Sequence, residues 1–366
     1  MKVGVSCNRL GAGGGLERYA LDIARELASR AGTEVGVYAR KFDAGVAESL
    51  GVAAHRINVS WLPGKLRDRY FSWKLQGLRD GSDVLIGCNR VRGSDIAICG
   101  GTHRGYLAAS GKAPRQSDGW QIALESAQYA DAYRVVAHSA LMREELEQLY
   151  GVPRERIALL YPPVDTRRFS PVDAATRQSL RRQYGFADDE VVLLFPSSGH
   201  ARKGFDLLAN AIGASGLPIT LAVAGRPVGR TLPRVREMGY VRDIEALYRA
   251  ADFSALASDY EPFGLVGVES ILCGTPLVFA DNIACLEVIR PEAVLSFQRS
   301  APDTLAAALR RAVALVREGR ARLADPRAML GYDPSIGSHV DALLELCAEA
   351  RQHRPGGRTQ SVGNQS

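Results

Sequence analysis

Two glutamates eight positions apart, Glu261 and Glu269, lie in the stretch YEPFGLVGVESILCGTPLVFADN, residues 260–282. Proline is favoured in a first helical turn, so the pattern predicts a helix from about Pro262, with Glu269 roughly two turns in. The first backbone N–H groups of such a helix, at Phe263, Gly264 and Leu265, lack intrahelical partners and stand at the positive end of its dipole. N–H donors beside a carboxylate acceptor suit a polyol, whose hydroxyls both give and take hydrogen bonds. Gly264 lets a ligand come close to the backbone. A buried helix capped by an acid explains any one of these residues, but not the set.

Two further segments could carry charge chemistry. In SSGHARKGFD, residues 197–206, the adjacent cations Arg202 and Lys203 follow an apolar run, and Gly204 opens the next helical pattern. A loop between strand and helix is where α/β sheets bind phosphate. In CGGTHRGY, His103 lies in a glycine-rich loop where structural and functional roles are equally open. Near the N-terminus, NRLGAGGGLERYA has glycines at 11, 13, 14 and 15. A simple turn needs one or two, so the excess points to ligand contact. As a dinucleotide fingerprint it fails, because position 16 is leucine and the second strand ends VYARKF without an acid. A nicotinamide enzyme is therefore disfavoured.

These residues require a scaffold. Short β-rich runs alternate with helical patterns along all 366 residues, which predicts an α/β fold with parallel sheets. Strands are expected at KVGVSC, EVGVYA, DVLIGC, DIAICG, RVVAHS and IALLYPP, then at VVLLFPSS, TLAVAG, DFSALAS and TPLVFA. Their continuous apolar character suits strands covered on both faces. Between the first two, Leu16, Ala20, Ile23, Ala24, Leu27 and Ala31 share one helical face. The proline- and charge-rich stretch 161–178 reads as a junction, which gives two doubly wound domains, 1–165 and 166–335, with a cleft between them. A last amphipathic helix covers 336–353, expected to pack back toward the N-terminal domain, and the polar tail 354–366 is expected to be disordered.

The composition, 46% hydrophobic and 23% charged, is that of a globular enzyme. No run of eighteen apolar residues suggests a membrane span, and MKVGVSCNRLG reads as a first strand, not a signal peptide. The six cysteines lie in apolar runs without a C-x-x-C pair, which argues for core thiols in a reducing compartment and against zinc or disulfides. The net charge of +6 suits an anionic partner. Residues 60–80 carry Lys65, Arg67, Arg69, Lys74 and Arg79 against Asp68 and Asp80, interleaved with Trp61, Tyr70, Phe71 and Trp73. Such a mixture fits a surface resting on anionic lipid, or a solvated helix with a buried aromatic face. No RNA-binding signature accompanies it, so nucleic acid is not expected.

Glu261-Pro-Phe-Gly-Leu-Val-Gly-Val-Glu269 followed by CGTPLVFADN resembles the signature of family 4 retaining glycosyltransferases (glycosyl transferases group 1). The resemblance implies the GT-B fold, two Rossmann-like domains whose parallel sheets face a central cleft, with a nucleotide sugar on the C-terminal one. It implies that Glu261 and the amides of Phe263, Gly264 and Leu265 hold the transferred sugar, and that Glu269 accepts from the ribose hydroxyls. Arg202 and Lys203 match the family's basic pair on the donor diphosphate. GGGLER resembles its N-terminal glycine loop, so Gly14 and Gly15 are implied donor contacts. The base is implied near Val241, and His103 near the reacting centre. The ARKGFD form is similar to the branch with lipopolysaccharide core glucosyltransferases.

The pattern is departed from in two places: Ser198 stands where an arginine is common, and Ile283-Ala284-Cys285 follows FADN where the family commonly has Gly-Gly. The resemblance implies transfer of a hexose-type sugar from a nucleotide sugar, a UDP-sugar first and GDP or ADP next. The acceptor would be a bacterial surface glycan or glycolipid, such as a lipopolysaccharide core or an exopolysaccharide precursor. No acidic D-x-D cluster is present, so no metal and no cofactor beyond the donor are expected. The expected location is cytoplasmic, with residues 60–80 as the candidate for peripheral contact to the anionic inner membrane. The alternatives are a GT-B epimerase or phosphorylase, and a non-catalytic sugar-nucleotide or glycan binder.

Overall fold

The computed structural model describes residues 1–11, 13–79, 82–111 and 113–353. The tail 354–366, for which disorder is expected, lies outside them. The chain divides into two compact units, one formed by Met1–Pro163 together with the segment from Ile336, the other by Val164–Ser335.

The first unit begins with β1 (Lys2–Leu10), α1 (Gly15–Ser29), β2 (Glu34–Phe42), α2 (Val46–Leu50) and β3 (Ala53–Arg56). It continues with α3 (Gly64–Gln76), β4 (Val84–Gly87), β5 (Ile96–Cys99), α4 (His103–Ser110), α5 (Gln116–Asp131), β6 (Arg134–Ala137), α6 (Ala140–Tyr150) and β7 (Ile157–Leu159). The second unit holds α7 (Ala174–Gln183), β8 (Val191–Ser197), α8 (Phe205–Ser215), β9 (Ile219–Gly225), β10 (Val235–Gly239), α9 (Ile244–Ala250) and β11 (Phe253–Leu256). It ends with α10 (Leu265–Leu272), β12 (Leu277–Ala280), β13 (Val294–Phe297) and α11 (Pro302–Arg317). The last helix, α12 (Ile336–Gln352), belongs to the first unit.

Both sheets are parallel, ordered β3-β2-β1-β4-β5-β6-β7 and β10-β9-β8-β11-β12-β13. In each, the order reverses direction once, between β1 and β4 and between β8 and β11. Such a switch point leaves a crevice at the carboxyl ends of two neighbouring strands, which is where open α/β sheets bind ligands. The apolar runs of the sequence become these strands, with β4, β5, β11 and β12 buried along their whole length. Strands β3, β10 and β13 are not among those expected from the sequence. All three are edge strands, exposed on at least one side, so none needs a continuous apolar run.

Helix α1 buries Ala20, Ile23, Ala24 and Leu27 completely. Two positions expected on that face are not in the core. Leu16 is 43% exposed, because it lies in the first turn and covers Gly100 at the rim. Ala31 falls beyond the helix, which stops at Ser29 before a turn at Gly32 with φ 75°. The last helix packs against α1, β4 and β5 and contributes Val340, Leu343, Cys347 and Ala350 to their core. All six cysteines are free and buried.

Candidate functional site

At the switch point of the second unit, β8 leads into loop 198–204 and β11 into loop 257–264. The two loops are bonded to one another through their backbones: Ala257 N donates to Lys203 O at 3.1 Å and Asp259 N to Arg202 O at 3.0 Å. Gly204 makes that approach possible. Its φ is 74°, and a Cβ there would sit 2.0 Å from the Ala257 carbonyl oxygen. The cations are thereby held beside the first glutamate. Arg202 Nη1 donates to the Tyr260 carbonyl at 2.8 Å and to Glu261 Oε2 at 3.1 Å. Ser258 Oγ donates to the same carboxylate oxygen at 3.1 Å. Lys203 Nζ donates to the Pro196 carbonyl at 2.9 Å. Burial pushes the Lys203 ammonium below the usual lysine range, while Glu261 and, more weakly, Glu269 pull it back up.

The helix after Glu261 starts three residues later than the spacing predicts. Gly264 has φ 95° and is the N-cap, so Pro262–Gly264 form a turn and α10 begins at Leu265. Glu269 is therefore about one turn in, not two. Among the described residues, no hydrogen bond occupies the amides of Gly264 and Leu265, which leaves donors at the helix start next to a carboxylate. The departure at 283–285 has a packing reason. Cys285 Sγ lies 2.6 Å from where a Cβ on Gly267 would be, and Ile283 Cγ2 lies 3.1 Å from one on Gly264. Side chains on one segment fill space that glycines leave on the other, and Cys285 N donates to Phe263 O at 2.7 Å to lock the pairing. Tyr248 Oη donates to Glu269 Oε2 at 2.9 Å, and Tyr248 is itself buried.

Val241 lies in the loop between β10 and α9. Arg168 ties that loop down, donating to the Arg242 carbonyl and to Glu245 Oε2, each at 2.8 Å. Its neighbour Tyr240 is 85% exposed. Tyr240, Ser258, Tyr248 and His200 are not among the site residues expected from the sequence, and only His200, two positions before the basic pair, carries a signal there. His200 joins the ends of two strands through Ser197 Oγ and the Arg226 carbonyl, both at 3.0 Å.

The first unit holds the remaining residues, Gly14, Gly15 and His103. Gly11 has φ 156°, and a Cβ there would meet the Asp43 carboxylate at 2.1 Å. Asp43 directly follows β2, so an acid does close the second strand, contrary to expectation; it is engaged by Arg9, whose Nε donates to Oδ1 at 2.6 Å. A Cβ on Gly13 would meet Glu17 at 2.8 Å. Gly14 is the extended N-cap of α1, and a Cβ on Gly15 would have no atom within 4 Å. Sterics thus account for Gly11 and Gly13 but not for Gly15.

His103 opens α4, whose N-cap Thr102 accepts from Gly105 N at 3.0 Å. The His103 ring bonds Asp118 Oδ1 through Nε2 at 2.9 Å, and its backbone N donates to Glu125 Oε2 at 3.0 Å. Hydrogen bonds from the Arg115 backbone and then from His103 hold the Asp118 carboxyl below the usual range. A carboxylate that fixes Nε2 orients the ring and leaves Nδ1 for another partner. Helix α3 buries Phe71 and Leu75, while Trp61 and Trp73 are 65% and 66% exposed. Tyr70 links their rings at centroid distances of 5.4 and 5.7 Å.

Two parallel doubly wound sheets, the second with carboxylates, cations and helix-start amides gathered at its switch point, define the GT-B class of α/β glycosyltransferase. The model of Glycosyltransferase Family 4 matches residues 13–168, and that of Glycosyl transferases group 1 matches 190–314. A Burkholderia thailandensis protein named a probable transglycosylase is 56% identical over 362 residues, 98% of this chain and 99% of that protein. Mannosylfructose-phosphate synthase of Agrobacterium fabrum is 33% identical over 174 residues, 41% of this chain and 38% of that protein. Among solved structures, WaaG, a glycosyltransferase involved in lipopolysaccharide biosynthesis, has the same fold with TM-score 0.76 at 19% identity, covering 97% of this chain and 100% of that one. HepE of Anabaena in complex with UDP and glucose matches with TM-score 0.69 at 18% identity, covering 96% and 97%. The chain belongs to the family 4, group 1 glycosyltransferases.

Proposed function

We propose that this protein is a retaining hexosyltransferase that takes its sugar from a nucleotide sugar, UDP-linked in the first instance, and places it on a hydroxyl of a bacterial surface glycan or glycolipid. The observation that carries the reading is the cluster at the second switch point, where Glu261 is held by Arg202 and Ser258 beside the amides of Gly264 and Leu265. Such a cluster can accept from and donate to sugar hydroxyls while cations face the diphosphate. UDP and glucose are bound by HepE, and WaaG acts in lipopolysaccharide biosynthesis; both facts support the choice of donor and acceptor class.

In this reading the bond between the anomeric carbon and the diphosphate breaks as the acceptor oxygen attacks on the same face. The acceptor proton passes to a phosphate oxygen of the departing nucleotide. Arg202 and Lys203 stabilise the charge that develops there, and no metal is required. Glu269 holds the ribose.

A thermal-shift panel of UDP-, GDP- and ADP-sugars on wild type and Glu269→Ala tests the donor site. A ligand that binds the folded state raises its stability by mass action, by about 2.7 kcal/mol at a hundredfold excess over Kd. The expected result is a shift with a UDP-sugar that Glu269→Ala loses. No shift with any nucleotide sugar, or equal shifts in both proteins, would remove the reading.

We also propose that residues 60–79 rest on an anionic membrane face. Trp61 and Trp73 are exposed there among arginines and lysines, and this mixture suits an interfacial position. No described helix is long and apolar enough to cross a membrane. Sedimentation with anionic liposomes, absent with neutral ones, is the expected result; equal and negligible binding to both would end the idea.

A further inference from the structure

The cations of loop 198–204 are already engaged. Arg202 is paired with Glu261 and bonded to the Tyr260 carbonyl. Lys203 donates to Pro196 O and lies within the influence of both Glu261 and Glu269. The Arg202–Glu261 pair is neutral as a unit, which leaves Lys203 as the net positive charge of this loop for a ligand bearing a charge on each of its phosphoryl groups. A further cation at the same rim would balance that ligand.

Strand β9 supplies one. It runs parallel to β8 in a register that pairs Ser197 with Gly225, so Arg226 follows on the neighbouring strand at the level of Ser198. Three contacts key it to the loop. Arg226 N donates to Ser197 O at 3.2 Å. Gly225, with φ 136°, lets the strands close to a spacing at which a Cβ would be 2.0 Å from Ser197 O. His200 spans the two strand ends: the Arg226 carbonyl can only accept, so Nε2 donates to it, and Nδ1 accepts from the Ser197 hydroxyl, both at 3.0 Å. The ring lies against Phe195 and Phe205, with centroids 6.3 and 5.5 Å away. The Arg226 side chain is exposed, and among the described residues no carboxylate pairs with it.

We infer that Arg226 is a further cation for the donor diphosphate, standing in for a basic side chain at Ser198, and that His200 is the positioning residue that ties its backbone to the phosphate loop. The inference rests on the nucleotide-sugar reading above.

The test measures UDP and uridine binding to the full chain by calorimetry. Arg226→Gln should weaken UDP roughly tenfold, the loss of one charge-assisted contact, and leave uridine unchanged. Arg226→Lys should retain most of the affinity, and adding Ser198→Arg to Arg226→Gln should restore it. His200→Ala should weaken UDP by a smaller factor, and His200→Gln, which keeps a donor toward the Arg226 carbonyl, should recover it. Undiminished UDP binding by Arg226→Gln overturns the inference alone, and so do equal losses of UDP and uridine. A wild-type chain that binds neither UDP, GDP nor ADP overturns the nucleotide-sugar reading and this inference together.

Discussion

Glutamates 261 and 269 flank the start of α10, and each carboxylate takes a hydrogen bond from another element, Glu261 from Arg202 and Glu269 from Tyr248. Gly264 moves the helix start to Leu265, since a left-handed residue ends the turn there, and no local rule reveals φ in advance. The partners of Glu261, namely Arg202 and Ser258, come from another loop and from three residues earlier in its own loop. Gly204 is a sharp single-residue dependence. Gly204→Ala combines a positive φ with a 2.0 Å clash against Ala257 O. It should destabilise by more than about 1 kcal/mol and shrink any UDP-sugar thermal shift. Gly15→Ala, with open space around it, should be neutral or slightly stabilising. Urea midpoints for the two variants decide this, and equal midpoints would show that the loop approach is not as close as described.

The long apolar strands and α1 were readable from periodicity, whereas edge strands β3, β10 and β13 were not. What α12 does was not readable from its own amphipathic pattern. It places His339 against α1, where Tyr19 Oη and His339 Nε2 are 2.8 Å apart, while Nδ1 lies 3.0 Å from Tyr161 O. His138 stands beside the same tyrosine ring at 4.9 Å. Burial pushes His138 down to about 3 and His339 down to about 4. An unfolded histidine titrates near 6.5, so at lower pH the unfolded chain binds the extra protons. Stability from this pair is therefore complete above about pH 6.5 and falls as the pH drops toward the folded values, by up to about 1.4 kcal/mol per pH unit for each ring. Urea midpoints at about pH 7.5 and pH 5 should differ clearly in wild type and less in His339→Asn. Parallel losses in the two proteins would assign the acid sensitivity to other groups.

At the scale of the molecule, each unit repeats one plan, a parallel sheet with a single switch point and its functional loops at the carboxyl ends of strands. The first unit is built from two separate chain segments, because α12 returns to its core. A chain stopped after Ser335 should keep a protease-resistant segment 164–335 while residues 1–163 are digested, as mass spectrometry of limited proteolysis would show. Equal resistance of both segments would mean that α12 is dispensable. By itself, the sequence determined the fold class, the strands of the sheet interiors, and the residue types that meet at the second switch point. These follow from apolar periodicity and from motifs a few residues long, which are local. Only the tertiary structure decided that Arg202 pairs with Glu261, that Cys285 fills the space Gly267 leaves, that Asp43 belongs to Arg9, and that Arg226 lies beside Ser198. Each of those depends on the register of parallel strands and on loops distant in sequence, and no short-range pattern encodes which strand becomes whose neighbour.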